Sequence, residues 1–209
     1  MSDADTFALD TDEKRVSYGF GMQFGQQLVQ NTFEGMSLEA AIAGMSAMFK
    51  QTPVPITDTQ MQAAYDAVQA KREAKQAEDA AKMGGLSVEF MRANGASEGV
   101  ISLDSGVQYQ ILEEGDGAKP AATDTVRVHY EGSLIDGQIF DSSIARGEPA
   151  EFGVTQVIPG WVEALQLMSV GSKWRVAIPS DKAYGPAGSP PSIPGHSALV
   201  FEIHLIAIV

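Results

Sequence analysis

The sequence contains no cysteine, which removes disulfides, thiolate metal sites and cysteine nucleophiles together. That absence suits the cytoplasm and an oxidising compartment equally. Histidine is scarce: His129, His196 and His204 are the only three, and no pair has metal-ligand spacing. No apolar run approaches the ~20 residues needed to cross a bilayer. Basic residues number 14 against 27 acidic ones, a formal net charge of -13. Such a surface repels phosphate, so nucleic acid is not an expected partner. A phosphate loop and a Gly-x-Ser-x-Gly elbow are both missing. Tyr18-Gly19-Phe20-Gly21 with Gly25 imitates a dinucleotide loop, but no strand precedes it and the spacing is wrong. Small residues that let two helices approach closely are the better reading. Nucleophilic, metal and nucleotide chemistry all lack their parts, and neither metal nor cofactor is expected. The start, Met1-Ser2-Asp3-Ala4-Asp5, is acidic where a secretory signal is basic. The expected compartment is the cytoplasm, with the periplasm as the alternative if a signal peptide has been removed.

What remains is a globular composition: 209 residues, 44% apolar and 20% charged, enough for one or two domains with a real core. The chain changes character twice. Residues 1–56 are rich in Gly, Ala, Met and Gln, with helical spacings over Val16 to Val29 and again over Thr32 to Phe49. Two short amphipathic helices cannot enclose a core and need a partner surface. Pro53-Val54-Pro55 breaks the chain, and Thr57-Asp58 starts a long helix that fills residues 57–96. Met61, Ala64, Tyr65 and Val68 form a stripe on it. After Lys71 it is polar nearly all round, as in a solvent-bridging connector. Gly84-Gly85 lowers helix propensity and marks a site for a kink.

Residues 104–209 read as β. Val107, Tyr109 and Ile111 alternate with polar residues, and so do Val126, Val128 and Tyr130; Asp136-Gly137 signals a hairpin. Trp161, Ala164, Leu165 and Met168 mark one short helix. Trp174 to Ile178 and Val200 to Val209 are further strands. His129 and His204 alternate with the apolar positions and read as solvent-side. Between the last two strands runs a loop, YGPAGSPPSIPG, too long and proline-rich for a mere connector. The expected fold is α+β: an antiparallel sheet wrapped on one short helix, preceded by an all-α region and a long linking helix.

This third zone carries one dense pattern: Val128-His129-Tyr130-x-Gly132, Asp136-Gly137-x-x-Phe140-Asp141-Ser142-Ser143, Val157-Ile158-Pro159-Gly160-Trp161, Ala183-Tyr184-Gly185 and Leu199-Val200-Phe201-Glu202. Together, in this order, the motifs resemble the FK506-binding family of prolyl isomerases, from Ser105 to the C-terminus. The first two zones extend the likeness to the dimeric bacterial branch of macrophage infectivity potentiator and FklB-type proteins. That resemblance implies a peptidyl-prolyl cis-trans isomerase without cofactor and a V-shaped homodimer interlocked through its N-terminal helices. The implied ligands are proline-containing peptides, partly folded proteins and macrolides such as FK506 or rapamycin.

By position, the resemblance implies a pocket of Tyr130, Phe140, Asp141, Phe152, Val157, Ile158, Trp161, Tyr184, Ile193 and Phe201. Trp161 would be its floor and Tyr130, Phe140 and Phe201 its walls. The Ile158 N–H and the Tyr184 hydroxyl would be donors to ligand carbonyls. Asp141 would be the polar group nearest the rotating amide, with Arg146 as a partner. Core packing is the competing account of the aromatics; Asp141 and Tyr184, polar beside apolar neighbours, call for a reason. Ala150 stands where many members have a bulky aromatic, and Ser189 and Ser192 alter the proline-rich loop. Two other functions compete: a chaperone-like binder in which isomerisation is secondary, and a non-catalytic interaction module.

Overall fold

The computed structural model describes residues 8–209; the acidic start, Met1 to Asp5, lies outside them. It divides into two compact units, one ending at Arg72 and the other running Glu73–Val209.

In the first unit Thr11 caps helix α1 (Asp12–Gln30) by accepting from the Lys14 N–H, with Asp12 and Glu13 in the first turn, where the helix dipole favours anions. Helix α2 (Leu38–Lys50) is capped the same way by Ser37. It starts later than its periodicity suggested, because Gly35 turns the chain at φ +82° and Ser37 supplies the cap. Neither helix contains a buried residue. Phe20 is 58% exposed, Phe24 53% and Phe49 92%, so the apolar faces read from the sequence have no cover among the described residues.

Helix α3 (Asp58–Gly95) begins in a reciprocal capping box. Thr57 N–H donates to Gln60 Oε1 at 2.9 Å, and Gln60 N–H to Thr57 Oγ1 at 3.3 Å. It runs unbroken through Gly84-Gly85. The polar segment after Lys71 is exposed, whereas the last turns pack against the sheet. Asn94 donates to Gln108 Oε1 at 2.8 Å, and Gln108 donates to the Met91 carbonyl at 2.9 Å. That is why Gln108, on the face opposite Val107 and Tyr109, is buried.

The second unit is an antiparallel sheet in the order β1 (Val100–Ser102), β2 (Gln108–Glu113), β6 (Lys173–Ile178), β7 (Leu199–Ile208), β3 (Thr125–Leu134), β4 (Ile139–Ser142), with β5 (Ala150–Gly153) also pairing to β3. β3 alternates strictly, burying Val126, Val128, Tyr130, Gly132 and Leu134, as the two-residue period requires. Asp136 and Gly137 turn β3 into β4, with Gly137 at φ +89° and Asp136 accepting from the Gln138 N–H. Helix α5 (Pro159–Leu167) starts with proline at its first position, where no donor is lost. It presses Trp161, Ala164 and Leu165 onto the sheet, over Val126, Val128, Val176, Ile203 and Leu205.

A second short helix, α4 (Ser143–Arg146), was not anticipated. Ser142 caps it by accepting from Ala145 N–H, and Gly147 ends it at φ +78°. Among the described residues no helix is long and apolar enough to cross a membrane. Leu165 is fully buried, so Leu165→Ala should destabilise this unit by about 2–5 kcal/mol, read as a lower denaturation midpoint with the baseline spectrum unchanged.

Candidate active site

Trp161 is 4% exposed and three rings meet it nearly edge-on. Tyr130 from β3 stands at 5.3 Å and 87°, Phe201 from β7 at 5.3 Å and 88°, and Phe152 from β5 at 5.9 Å and 83°. Phe140 from β4 continues the cluster against Phe201 at 5.7 Å and 85°. Edge-to-face contact places positive ring edges on negative faces and adds about 0.5–1.5 kcal/mol per pair beyond burial. Gly132 makes room for it: a Cβ there would lie 2.6 Å from the Phe201 ring and 2.8 Å from that of Phe140. Val157, Ile158 and Phe152 are partly buried against this core, and Ile193 is buried within it.

One corner is polar. The Tyr130 hydroxyl donates to Asp141 Oδ2, and Arg146 donates to Asp141 Oδ1. Arg146 Nη2 also donates to the Tyr130 oxygen at 3.0 Å, while its guanidinium carbon stands 5.6 Å from the Tyr130 ring centroid. Burial pushes the Asp141 carboxyl up, but the Tyr130 and Arg146 hydrogen bonds, the Arg146 charge and the Ser142 backbone outweigh it and hold it below its ordinary value. Burial, then the hydrogen bond to Asp141, pushes the Tyr130 phenol up, so Tyr130 is the donor. The partnership of Asp141 with Arg146 was expected; the hydroxyl of Tyr130 closing the triangle was not.

Ser143 was quoted in the motif without a role. It is fully buried; its Oγ accepts from the Tyr130 N–H at 2.8 Å and lies 3.1 Å from His129 Nδ1. It thus ties α4, and with it Arg146, to β3. The signal was the pair Ser142-Ser143 followed by Gly147, a cap and a stop around one helical turn.

Of the donors expected at the site, three have no acceptor among the described residues: the Trp161 Nε1–H, which is buried, the Ile158 N–H, although the Ile158 carbonyl accepts from Trp161 N–H at 2.9 Å, and the hydroxyl of Tyr184, which is 42% exposed. A buried donor left alone costs about 1–3 kcal/mol. Tyr184 follows a 3₁₀ turn (Ser180–Lys182) that Lys182 links to Glu163 of α5 at 3.1 Å. His129 and His204 face each other across β3 and β7 on the other side of the sheet, in a groove with Glu113, Lys173 and Glu202. No metal-holding group of acidic and histidine side chains occurs among the described residues.

An indole walled by aromatic edges, beside a carboxylate paired with a phenol and a guanidinium, is the candidate site. Residues 117–206 match the family described as FKBP-type peptidyl-prolyl cis-trans isomerase. Residues 13–111 match the domain amino-terminal to it. The chain is 46% identical to the FKBP-type 22 kDa peptidyl-prolyl cis-trans isomerase of Escherichia coli K12, over 98% of this chain and 99% of that one. It is 39% identical to the outer membrane protein MIP of Legionella longbeachae, over 100% and 91%. The crystal structure of FkpA from Escherichia coli superposes with a TM-score of 0.70 at 34% identity, covering 96% of this chain and 98% of that one. The chain belongs to the family of FKBP-type peptidyl-prolyl cis-trans isomerases, and its reaction is rotation about the peptide bond that precedes proline. Cytoplasmic residence gains no support here, since one of these relatives is named an outer membrane protein.

Because its pKa is lowered, Asp141 remains an anion at every pH above the ordinary carboxylate range. The triangle should therefore persist from neutral pH down to about 5 and open only below about 4, read from the chemical shift of the Asp141 carboxyl carbon. A midpoint above about 5 would contradict the triangle.

Proposed function

We propose that Trp161 is the floor on which the proline ring rests, with Tyr130, Phe140, Phe152, Val157, Ile193 and Phe201 around it, and that the polar corner acts on the rotating amide. The reaction calls for no nucleophile. Amide resonance raises a barrier of ~18–20 kcal/mol, and an X–Pro bond crosses it unaided in tens to hundreds of seconds. Twisting localises the nitrogen lone pair and reduces charge separation, so the transition state is less polar than the planar amide. A dry aromatic surround then disfavours the planar form relative to the twisted one.

The Ile158 N–H and the Tyr184 hydroxyl hold the ligand carbonyls in a turned pose. What supports this is that neither donor has a partner among the described residues. Asp141 orients Tyr130 and Arg146, a role supported by its hydrogen bonds to both, and presents a compensated negative charge to the substrate carbonyl carbon. The same pocket accepts macrolides, and the small Ala150 of β5, half-buried opposite Val128 of β3, opens one wall and loosens that binding.

The unit of function is a homodimer joined through α1 and α2. Support comes from their uncovered rings at Phe20, Phe24 and Phe49. On this reading residues 1–56 are the dimerisation part, 57–96 the connector and 104–209 the isomerase. The same exposed faces favour, as a second reading, a cradle for partly folded chains. For the compartment, the periplasmic alternative is supported by the relative named an outer membrane protein, and cell fractionation reads it directly.

Asp141→Ala and Tyr184→Phe should each lower the rate on a short X–Pro peptide by about tenfold or more, with circular dichroism unchanged; wild-type rates in both would refute the site. Removing residues 1–56 should lower the mass seen by light scattering from that of two full chains to that of one truncated chain, and keep the tetrapeptide rate. If the cradle operates, it should also lose assistance to a refolding protein. A truncated chain that still scatters as a dimer would refute the assembly.

A further inference from the structure

Gly84-Gly85 and the small residues near them have no part in the chemistry described so far. Within the second unit, Ala80, Gly84, Ser87, Met91 and Asn94 recur at steps of three and four along α3 and are buried or half-buried, so they share one face. Ser87 is the one buried residue of the helix. Its Oγ accepts from the Ala198 N–H at 2.8 Å, across 111 residues of sequence. A Cβ on Gly84 would lie 3.2 Å from the His196 Cβ, and the Ala80 methyl is 3.2 Å from where a Cβ on Gly195 would stand. All three contacts fall on the last residues of the proline-rich loop before β7.

That loop is braced within itself. His196 N–H donates to the Gly185 carbonyl at 2.9 Å, and Ser189 and Ile193 exchange backbone hydrogen bonds at 2.8 and 3.0 Å. Ser197 Oγ donates to the Pro194 carbonyl at 2.7 Å. Tyr184 and Ile193 therefore belong to one braced loop, and the end of that loop hangs on α3. Ala198 is fully buried, and a buried backbone donor requires an acceptor; Ser87 supplies it. His196 sits at φ +60°, a conformation that costs energy for a residue with a side chain, and a side chain at position 84 would press on it.

We infer that the Gly84–Ser87 face of α3 is the seat of the proline-rich loop, and that Ser87 is a positioning residue for the isomerase, acting through the Ala198 backbone on Tyr184 and Ile193. The seat rests on the site roles proposed for those two residues. A loop set on a rigid helix holds its side chains more closely than a free one.

The test uses the full chain and four variants: Ser87→Ala, Ser87→Thr, Gly84→Leu and Gly85→Leu. Position 85 is the control, because a Cβ there meets nothing within 4 Å and the helix gains propensity equally at both glycines. With a short X–Pro peptide, Ser87→Ala and Gly84→Leu should raise KM by about tenfold while kcat changes by less than about twofold. The indole and the Asp141 triangle stand on other elements and stay in place. Ser87→Thr, which keeps the acceptor, should restore KM, and Gly85→Leu should leave it unchanged. Hydrogen exchange of the amides at 185–198 should quicken in Ser87→Ala and Gly84→Leu only. Unchanged exchange and KM in these two, or equal effects at Gly84 and Gly85, would overturn the seat. Exchange needs no substrate, so it judges the seat even where Asp141→Ala shows the site roles to be wrong.

Discussion

Three strands reach the Trp161 indole through ring edges, Tyr130 from β3, Phe152 from β5 and Phe201 from β7, at centroid distances of 5.3 to 5.9 Å. Because interiors pack as densely as crystals, such a contact leaves little freedom to slide. It fixes α5 against the sheet and sets where every other group of the site stands. It also explains Gly132, whose missing side chain is space taken by two rings. The packing covers the indole nitrogen but gives it no acceptor among the described residues, so the indole keeps one donor uncommitted.

The polar corner depends on this packing from the other side. Tyr130 touches the indole with its ring and Asp141 with its hydroxyl, so one side chain joins the dry surface to the charged one. Arg146 completes the corner only because α4 exists, and α4 is held by Ser142 at its cap and Ser143 at β3. A carboxylate with two partners keeps its charge without demanding water. A surface that is apolar below and compensated at its edge favours an amide losing polarity over one that retains it.

Much of this was legible in the sequence, for identifiable reasons. The period of two in β3, the Asp136-Gly137 turn and the Thr57 helix start are local signals, and each appears where it was read. The aromatic set was legible through family likeness, since five short motifs in order say more than any one of them. The alternation around Val107 misled about Gln108, because a two-residue period shows which face differs but not that both are covered. α4 was missed because four residues carry no periodicity.

The sequence by itself determined where helices and strands form, how the chain's character changes along its length, and that no thiol or phosphate-loop chemistry is present. Those properties arise from neighbours a few residues apart, through sterics, capping and alternation. Only the tertiary structure decided that Tyr130, Asp141 and Arg146 form a triangle, that Ser143 lies behind Tyr130, and that Gly84 and Ser87 receive the end of a loop 111 residues away. The physical reason is that a hydrogen bond or a close approach is satisfied in space. Strand register and the path of a long helix choose its partner, and no short stretch of chain contains either.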